Sequence, residues 1–306
     1  MIPGAAKFLR NRLNLASFVV VLLYLATAVG IEAYSIYCSH RKITPVYERG
    51  NINERFQPPS RQHWFGTDYL GRDVFLRAAA GTSTAIKVGL IASFITVFLG
   101  VSLGVLGGYA GGVVDDIVVW INSTFAAMPS LLFVLAFALL VSKGFLCPPL
   151  EKAFGALCTL FNTEPGMMAV YLGIGITGWV GLCQVVRAET FKLREAGYVQ
   201  AARVSGLRDG SIILRHIVPN LFHLVIIFFT IRFAGAVMTE VIVSYLGLGV
   251  QQVPSWGTMI ADGQERLWQG IWWEVGGATL FMFFLVLSLN LLGDALRDHL
   301  DPRLST

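Results

Sequence analysis

Uncharged apolar runs alternate with polar intervals along the whole chain, at residues 13–31, 88–114, 128–141 extended back to 117, 167–186, 221–250 and 275–293. A run of about 18 residues or more makes a helix long enough to cross roughly 30 Å of hydrocarbon. The pattern predicts an all-α polytopic membrane protein with six transmembrane helices. Within the second run, Gly100, Gly104 and Gly108 recur every fourth residue, so they share one face and allow another helix to approach closely. Pro129 in the third run removes a backbone donor and crowds the preceding turn, which predicts a kink.

The fifth run is interrupted by Arg232 and Glu240. If its helix starts near Leu221, a rise of about 1.5 Å per residue puts Arg232 roughly 16 Å in, near the midplane. A guanidinium facing lipid there costs at least about 2.5 kcal/mol. It is therefore expected to face a water-filled cavity, backbone carbonyls or an acidic partner. Glu240, turned by about 80° and about 12 Å further along, is not its mate. Both are candidate substrate-pathway residues, with a structural pairing to another subunit as the alternative for Arg232.

The polar interval at 189–220 lies between the fourth and fifth runs. Residues 189–204 place Arg, Lys and Glu opposite Ala and Val, the pattern of a short amphipathic surface helix. Gly206 then breaks the helix. A second short helix is predicted from an Asp209 cap to Arg215, and Pro219 suits the first turn of the next membrane helix. The small pair Ala201 and Ala202 would let such a knob sit deep in a groove of another protein. An ordinary solvated connector is the other reading of these features.

With 306 residues, 55% of them hydrophobic and 14% charged, and a mean hydropathy of +0.65, the chain is too apolar for a soluble domain of this size. The net charge of +4 is spread over loops and does not indicate nucleic acid. The first run is long and no small-residue cleavage site clearly follows it, so it is expected to stay as an anchor. Cys147 and Cys158 share one loop, at 142–166, whose role the sequence leaves open. Lys7, Arg10 and Arg12 favour a cytoplasmic start, yet the 38–83 loop is also rich in Arg, so charge alone leaves orientation open.

Candidate chemistry mostly falls away on inspection. Gly173 to Gly178 matches GxGxxG by letter but sits in an apolar run with no preceding strand. No Lys-Ser/Thr follows the glycines of Gly107 to Gly112, so they are a turn and not a phosphate loop. Asn122-Ser123-Thr124 lies in a predicted span, where no glycosyl group is placed. His63, Asp68 and Asp73 lack the spacing of a metal motif; Asp68 instead suits a helix cap, with Arg72 at i,i+4 spacing from it and Arg77 likewise from Asp73. No G-x-S-x-G occurs and no His lies deep in a span, which argues against an intramembrane hydrolase. A channel or an assembly scaffold without ATPase coupling remains the alternative to a transport subunit.

Several signatures in order carry a resemblance. Gln200-Ala201-Ala202, Gly206 and His216-Ile217-Val218-Pro219 resemble the EAA loop of bacterial ABC-importer permeases, with Gln200 where Glu is usual and Val218 where Leu is usual. Phe65-Gly66-Thr67-Asp68 with Leu70 to Phe75 and Arg77, then Ser244 to Gly249, Pro254-Ser255-Trp256-Gly257 and Asn290 to Arg303 resemble the dipeptide/oligopeptide/nickel branch, and its C-type subunit. The resemblance covers roughly residues 60–303. It implies a permease subunit of an ATP-driven, binding-protein-dependent importer, with Gln200, Ala201, Ala202, Gly206 and Pro219 in a cytoplasmic loop that couples to an ABC ATPase. Implied partners are those ATPase subunits, a second, B-type permease subunit, an extracytoplasmic substrate-binding protein and the lipid bilayer. The chain itself is expected to bind no cofactor or metal and to carry no catalytic residue, since it has no Walker lysine; ATP and Mg would sit on the ATPase. The implied location is the bacterial inner membrane with both termini cytoplasmic. Residues 1–83 would form an anchor helix and an outer loop. The segment 244–257 would form an outer loop under the binding protein; an interfacial loop with Trp268, Trp272 and Trp273 as aromatic anchors is the other reading of that region. Residues 84–306 would form the core.

Overall fold

The computed structural model describes residues 11–145, 148–248 and 253–300, and the secondary structure among them is helical apart from one isolated bridge between Thr67 and Asp73. Among these residues five helices are long and apolar enough to cross a membrane, and a bent pair makes a sixth if it is counted as one span. Helix α1, Arg12–Arg41, starts at Asn11, whose side chain accepts from the Leu13 N–H, and stops at Lys42 in the left-handed region. Helix α2, Val74–Ala110, is the hub: it packs against α1 and against most of the helices that follow. Its N-terminus is capped by Asp73, which accepts from the Leu76 N–H at 3.0 Å. The cap is thus Asp73 and not Asp68, and the boundary at 83/84 falls inside this helix.

The third span is sharper than a kink. Helix α3, Gly112–Ala127, and helix α4, Ser130–Ser142, meet at 90° across Met128-Pro129. The proline ring pushes its predecessor out of the helical region, and Met128 is extended at φ −85°, ψ 130°. The 142–166 interval holds an amphipathic helix, α5, Pro148–Leu160, that buries Phe154 and Cys158. Cys147 lies outside the described residues. Helices α6, Pro165–Gly178, and α7, Val180–Arg194, run on through Trp179 as one 30-residue span. Glu164 precedes α6, and burial pushes its carboxyl above the usual carboxylate range.

Helix α8, Gly197–Val204, follows a corner, and helix α9 runs from Asp209 to Tyr245. Helix α10, Trp256–Gln264, carries a capping box from Ser255 and Thr258, and helix α11, Trp273–Leu300, closes the chain. The glycine face of α2 lies directly against α7: a Cβ on Gly104 would stand 2.8 Å from the Cys183 carbonyl oxygen, and one on Gly108 2.7 Å from that of Arg187.

The loop before α2 folds over the ends of α10 and α11 through buried charges. Asp68 accepts from the Leu70 and Arg72 N–H groups, from Arg72 Nε at 2.6 Å and from Arg77 at 3.1 Å. Arg77 therefore pairs with Asp68 and not Asp73; it also stands 3.6 Å from Asp262 and 3.9 Å from Glu274. His63 bonds to Asp73 at 2.8 Å. Trp273 is not an interfacial anchor, because it is buried and donates to the Thr67 carbonyl at 3.0 Å, whereas Trp268 and Trp272 are exposed. Removing one partner of a buried ion pair costs about 3–5 kcal/mol. Arg77→Met is accordingly expected to lower the thermal midpoint of the purified protein clearly, and an unchanged midpoint would show the network to be dispensable.

Candidate functional site

The polar interval after α7 does not form a single helix over 189–204. Arg194 ends α7, Glu195 caps it, and Ala196 turns extended at ψ 141° before α8 begins. Gln200 clamps this corner, its side-chain amide donating to the Arg194 carbonyl at 3.1 Å and to Glu195 at 3.3 Å. The alanine pair divides. Ala202 is buried with Val199 in an apolar cluster with Ile212, Ile217 and Leu221 of α9 and Val105 of α2, so it holds α8 onto its own chain. Ala201 faces outward, beside Val204, which is 90% exposed, and Leu207, which is 41% exposed. The surface that can enter a groove of another protein is therefore Ala201, Val204 and Leu207.

Gly206 closes α8 in the left-handed region at φ +77°. Its N–H donates to the Arg203 carbonyl at 3.0 Å and that of Leu207 to the Ala202 carbonyl at 3.2 Å. This pair of bonds is the Schellman arrangement, which satisfies the last carbonyls of the helix and needs a residue that tolerates positive φ.

No separate second helix follows. The run Asp209–Tyr245 is 37 residues long and Pro219 lies well inside it, not in its first turn. A proline there cannot donate and crowds the turn before it. The helix absorbs this with a π turn, Ile213–Ile217, closed by the Val218 N–H on the Ile213 carbonyl, and a 3₁₀ turn, Val218–Leu221. Asn220 satisfies the His216 carbonyl at 2.6 Å and reaches the Tyr198 hydroxyl at 3.3 Å, tying α8 to α9. Asp209 does not cap this helix, because Arg208 occupies the cap position; the Asp209 carboxylate accepts from the Tyr109 hydroxyl instead.

In the membrane region, half-buried Arg232 donates to the carbonyl of Gly178, where α6 gives way to α7. It lines a cavity of about 180 Å³ together with Thr96 of α2, Ser130 of α4, Thr177 of α6 and Thr239 of α9. Three of these hydroxyls donate to backbone carbonyls, of Gly175, Gly173 and Gly235, which turns their lone pairs to other donors. Glu240 does not share this cavity: it is 1% exposed and accepts from Ser244 at 2.6 Å. The cavity joins one fixed cation, suited to an anionic group, to hydroxyl lone pairs that suit a donor such as an amide or ammonium N–H. Sequence reasoning singled out only Arg232 of this group, because the hydroxyls come from four separate helices.

Comparison with known proteins gives the family of the chain as a whole. The family described as binding-protein-dependent transport system inner membrane component matches residues 100–306. The oligopeptide transport system permease protein OppC of Bacillus subtilis is 31% identical, over 97% of this chain and 88% of its own length. The dipeptide transport system permease protein DppC of the same organism is 31% identical, over 96% and 83%. The glutathione transport system permease protein GsiD of Shigella flexneri is 32% identical, over 97% and 89%. Among solved structures, an inward-facing form of the MetNI methionine ABC transporter superposes with a TM-score of 0.51 at 14% identity, over 74% of this chain and 96% of that one. The last likeness is one of fold alone.

Proposed function

Since the chain belongs to the family of binding-protein-dependent transport system inner membrane components, we propose that it is the C-type permease subunit of an importer for peptides, delivered by an extracytoplasmic binding protein. The chain is a multi-pass inner-membrane subunit of an ABC importer, and ATP hydrolysis belongs to a separate subunit. A B-type permease subunit completes the pathway in this reading. Both termini lie in the cytoplasm, and α8 presents Ala201, Val204 and Leu207 to the ATPase. Two ATPase subunits closing on ATP and Mg move that surface, and a rocking of helices converts the movement into alternating access.

The observation that carries the reading is identity of about a third to peptide-transport permeases over nearly the whole chain. The Arg232 cavity supports the substrate class, because a peptide presents a terminal carboxylate for the guanidinium and amide N–H donors for the hydroxyl lone pairs. The test is reconstitution with the ATPase, the second permease subunit and the binding protein in liposomes, followed by uptake of labelled peptides against a labelled metal or sugar. Uptake of metal or sugar without peptide would refute the class.

Arg232 supplies the second test. Arg232→Gln keeps a donor for the Gly178 carbonyl but removes the charge, and is expected to cut peptide uptake by about tenfold, the loss of one charge-assisted contact. Assembly and basal ATP hydrolysis should be spared. Normal uptake would remove Arg232 from the pathway, and failure to assemble would assign it a structural role.

A further inference from the structure

At the end of α2 one residue meets three parts of the segment 194–209. Tyr109 is 8% exposed in the last turn of the 37-residue helix. Its hydroxyl donates to Asp209 at the start of α9 at 2.6 Å. The Arg203 guanidinium of α8 lies over its ring, 5.6 Å from the centroid. Its carbonyl accepts from Arg194 at the end of α7 at 3.3 Å. Three segments that the chain presents separately, 194, 203 and 209, thus converge on a single residue of a fourth.

We propose that Tyr109 is a positioning residue that passes displacement of the coupling loop to α2. The proposal rests on the reading of residues 195–219 as the loop that meets the ATPase. Two features make the Tyr109 contacts a transmission point and not only packing. The first is that the apolar seat of α8 and this polar clasp lie together: Val199 and Ala202 pack in the same cluster as Tyr109 and Val105, so α8 cannot shift without moving the end of α2. The second is where α2 leads. Thr96 lines the Arg232 cavity, 13 residues before Tyr109 and about 20 Å along the same unbroken helix. A straight helix carries an axial push or tilt over that distance with little loss, whereas the loops around it do not.

The direction of control follows from the chemistry. Asp209 and Arg203 are exposed and of opposite charge; one meets the hydroxyl and the other the ring, so the clasp fixes α8 and the start of α9 relative to α2. Without the hydroxyl, Arg203 still covers the ring, but the start of α9 loses its polar tie to α2 and keeps only the apolar contacts of Ile212, Ile217 and Leu221.

The experiment uses the full transporter in liposomes with its binding protein. Tyr109→Phe keeps the ring, its packing and the Arg203 guanidinium over its face, and removes the hydroxyl that bonds to Asp209 and meets Arg203. The expected result is substrate-stimulated ATP hydrolysis lowered about tenfold, the weight of one hydrogen bond to a charged acceptor, with a larger drop in peptide moved per ATP and an unchanged thermal midpoint. Asp209→Asn keeps an acceptor for the hydroxyl but removes its charge, so it weakens the same bond from its exposed end and is expected to give a smaller loss in the same direction, including where Tyr109→Phe fails to assemble. A purely structural tyrosine would instead lower the midpoint and leave transport per ATP intact, which overturns the proposal, as does normal stimulation in both variants. Gly206→Leu in parallel separates this from the underlying reading. If it uncouples while Tyr109→Phe and Asp209→Asn do not, the relay alone is wrong; if all three stay coupled, the loop assignment itself falls.

Discussion

Replacing Gly206 by leucine is expected to abolish substrate-stimulated ATP hydrolysis while leaving the subunit inserted in the membrane and assembled with its partners. The cost is one of conformation and not of space. A Cβ at Gly206 would meet nothing within 4 Å, so a side chain there creates no clash. The backbone, however, stands at φ +77°, a region that costs an L-residue roughly 1–2 kcal/mol. Relaxing that angle breaks the bond from Leu207 to the Ala202 carbonyl and releases Leu207 from the end of α8. The outward surface of Ala201, Val204 and Leu207 then loses its shape while the buried residues Val199 and Ala202 still hold the helix to the subunit. Gly206→Asn is the informative companion, since asparagine tolerates the left-handed region far better; it should keep most of the stimulation. Full stimulation in Gly206→Leu would contradict the coupling role.

The extent to which this molecule was legible in its sequence depended on how local the deciding physics was. Helix type and number followed from apolar runs, because a bilayer demands them. Their ends did not. The second run begins at residue 88, yet α2 begins at Val74, because Arg77 and Lys87 interrupt the apolar signal. Their charges are met by Asp68 at 3.1 Å and Glu32 at 2.7 Å, partners that no window along the chain could reveal. Pro129 announced a bend, but its size depended on Met128 leaving the helical region.

The helix break at Gly206 was legible, since positive φ at a helix end is a property of a few neighbouring residues, but the helix expected over 189–204 missed the corner at Ala196. The loop pattern misjudged Ala202, because which alanine points inward is decided by α9 packing beneath α8. The long run of α9 through Pro219 had no local sign either, as its π and 3₁₀ turns are a response to the ring. Arg232 stood out because a charge in an apolar run is costly wherever it faces. The hydroxyls around it did not stand out, since Thr and Ser are common in spans and only tertiary contact gathers these four. Tyr109 looked like part of a glycine turn until Asp209, Arg203 and Arg194 closed on it.

Gly108→Leu is expected to prevent the subunit from accumulating in the membrane at all, a larger effect than any change on the loop surface. The glycine face of α2 lies in close contact with α7, and what Gly104 and Gly108 meet there includes backbone carbonyls. A Cβ at Gly108 would stand 2.7 Å from the Arg187 carbonyl oxygen and 2.7 Å from Thr190 Cβ; at Gly104 it would stand 2.8 Å from the Cys183 carbonyl oxygen. A side-chain tip could swing aside, but a carbonyl moves only with its helix. Inserting a single methylene into such a contact costs typically about 1–3 kcal/mol, and leucine adds several more carbons in the same place. Separating the helices would also pull at the bidentate pair between Arg187 and Asp115 of α3 and at the Tyr109 clasp one residue on, so the damage spreads to three neighbouring elements. Gly181→Leu is the control on the opposite side of the comparison: it too lies on α7, but a Cβ there meets nothing within 4 Å, and the variant should accumulate normally. The measurement is the amount of membrane-inserted subunit that co-purifies with the ATPase. Equal recovery of the Gly108 and Gly181 variants would show that α2 and α7 can part without cost, and that the close approach is incidental to the fold.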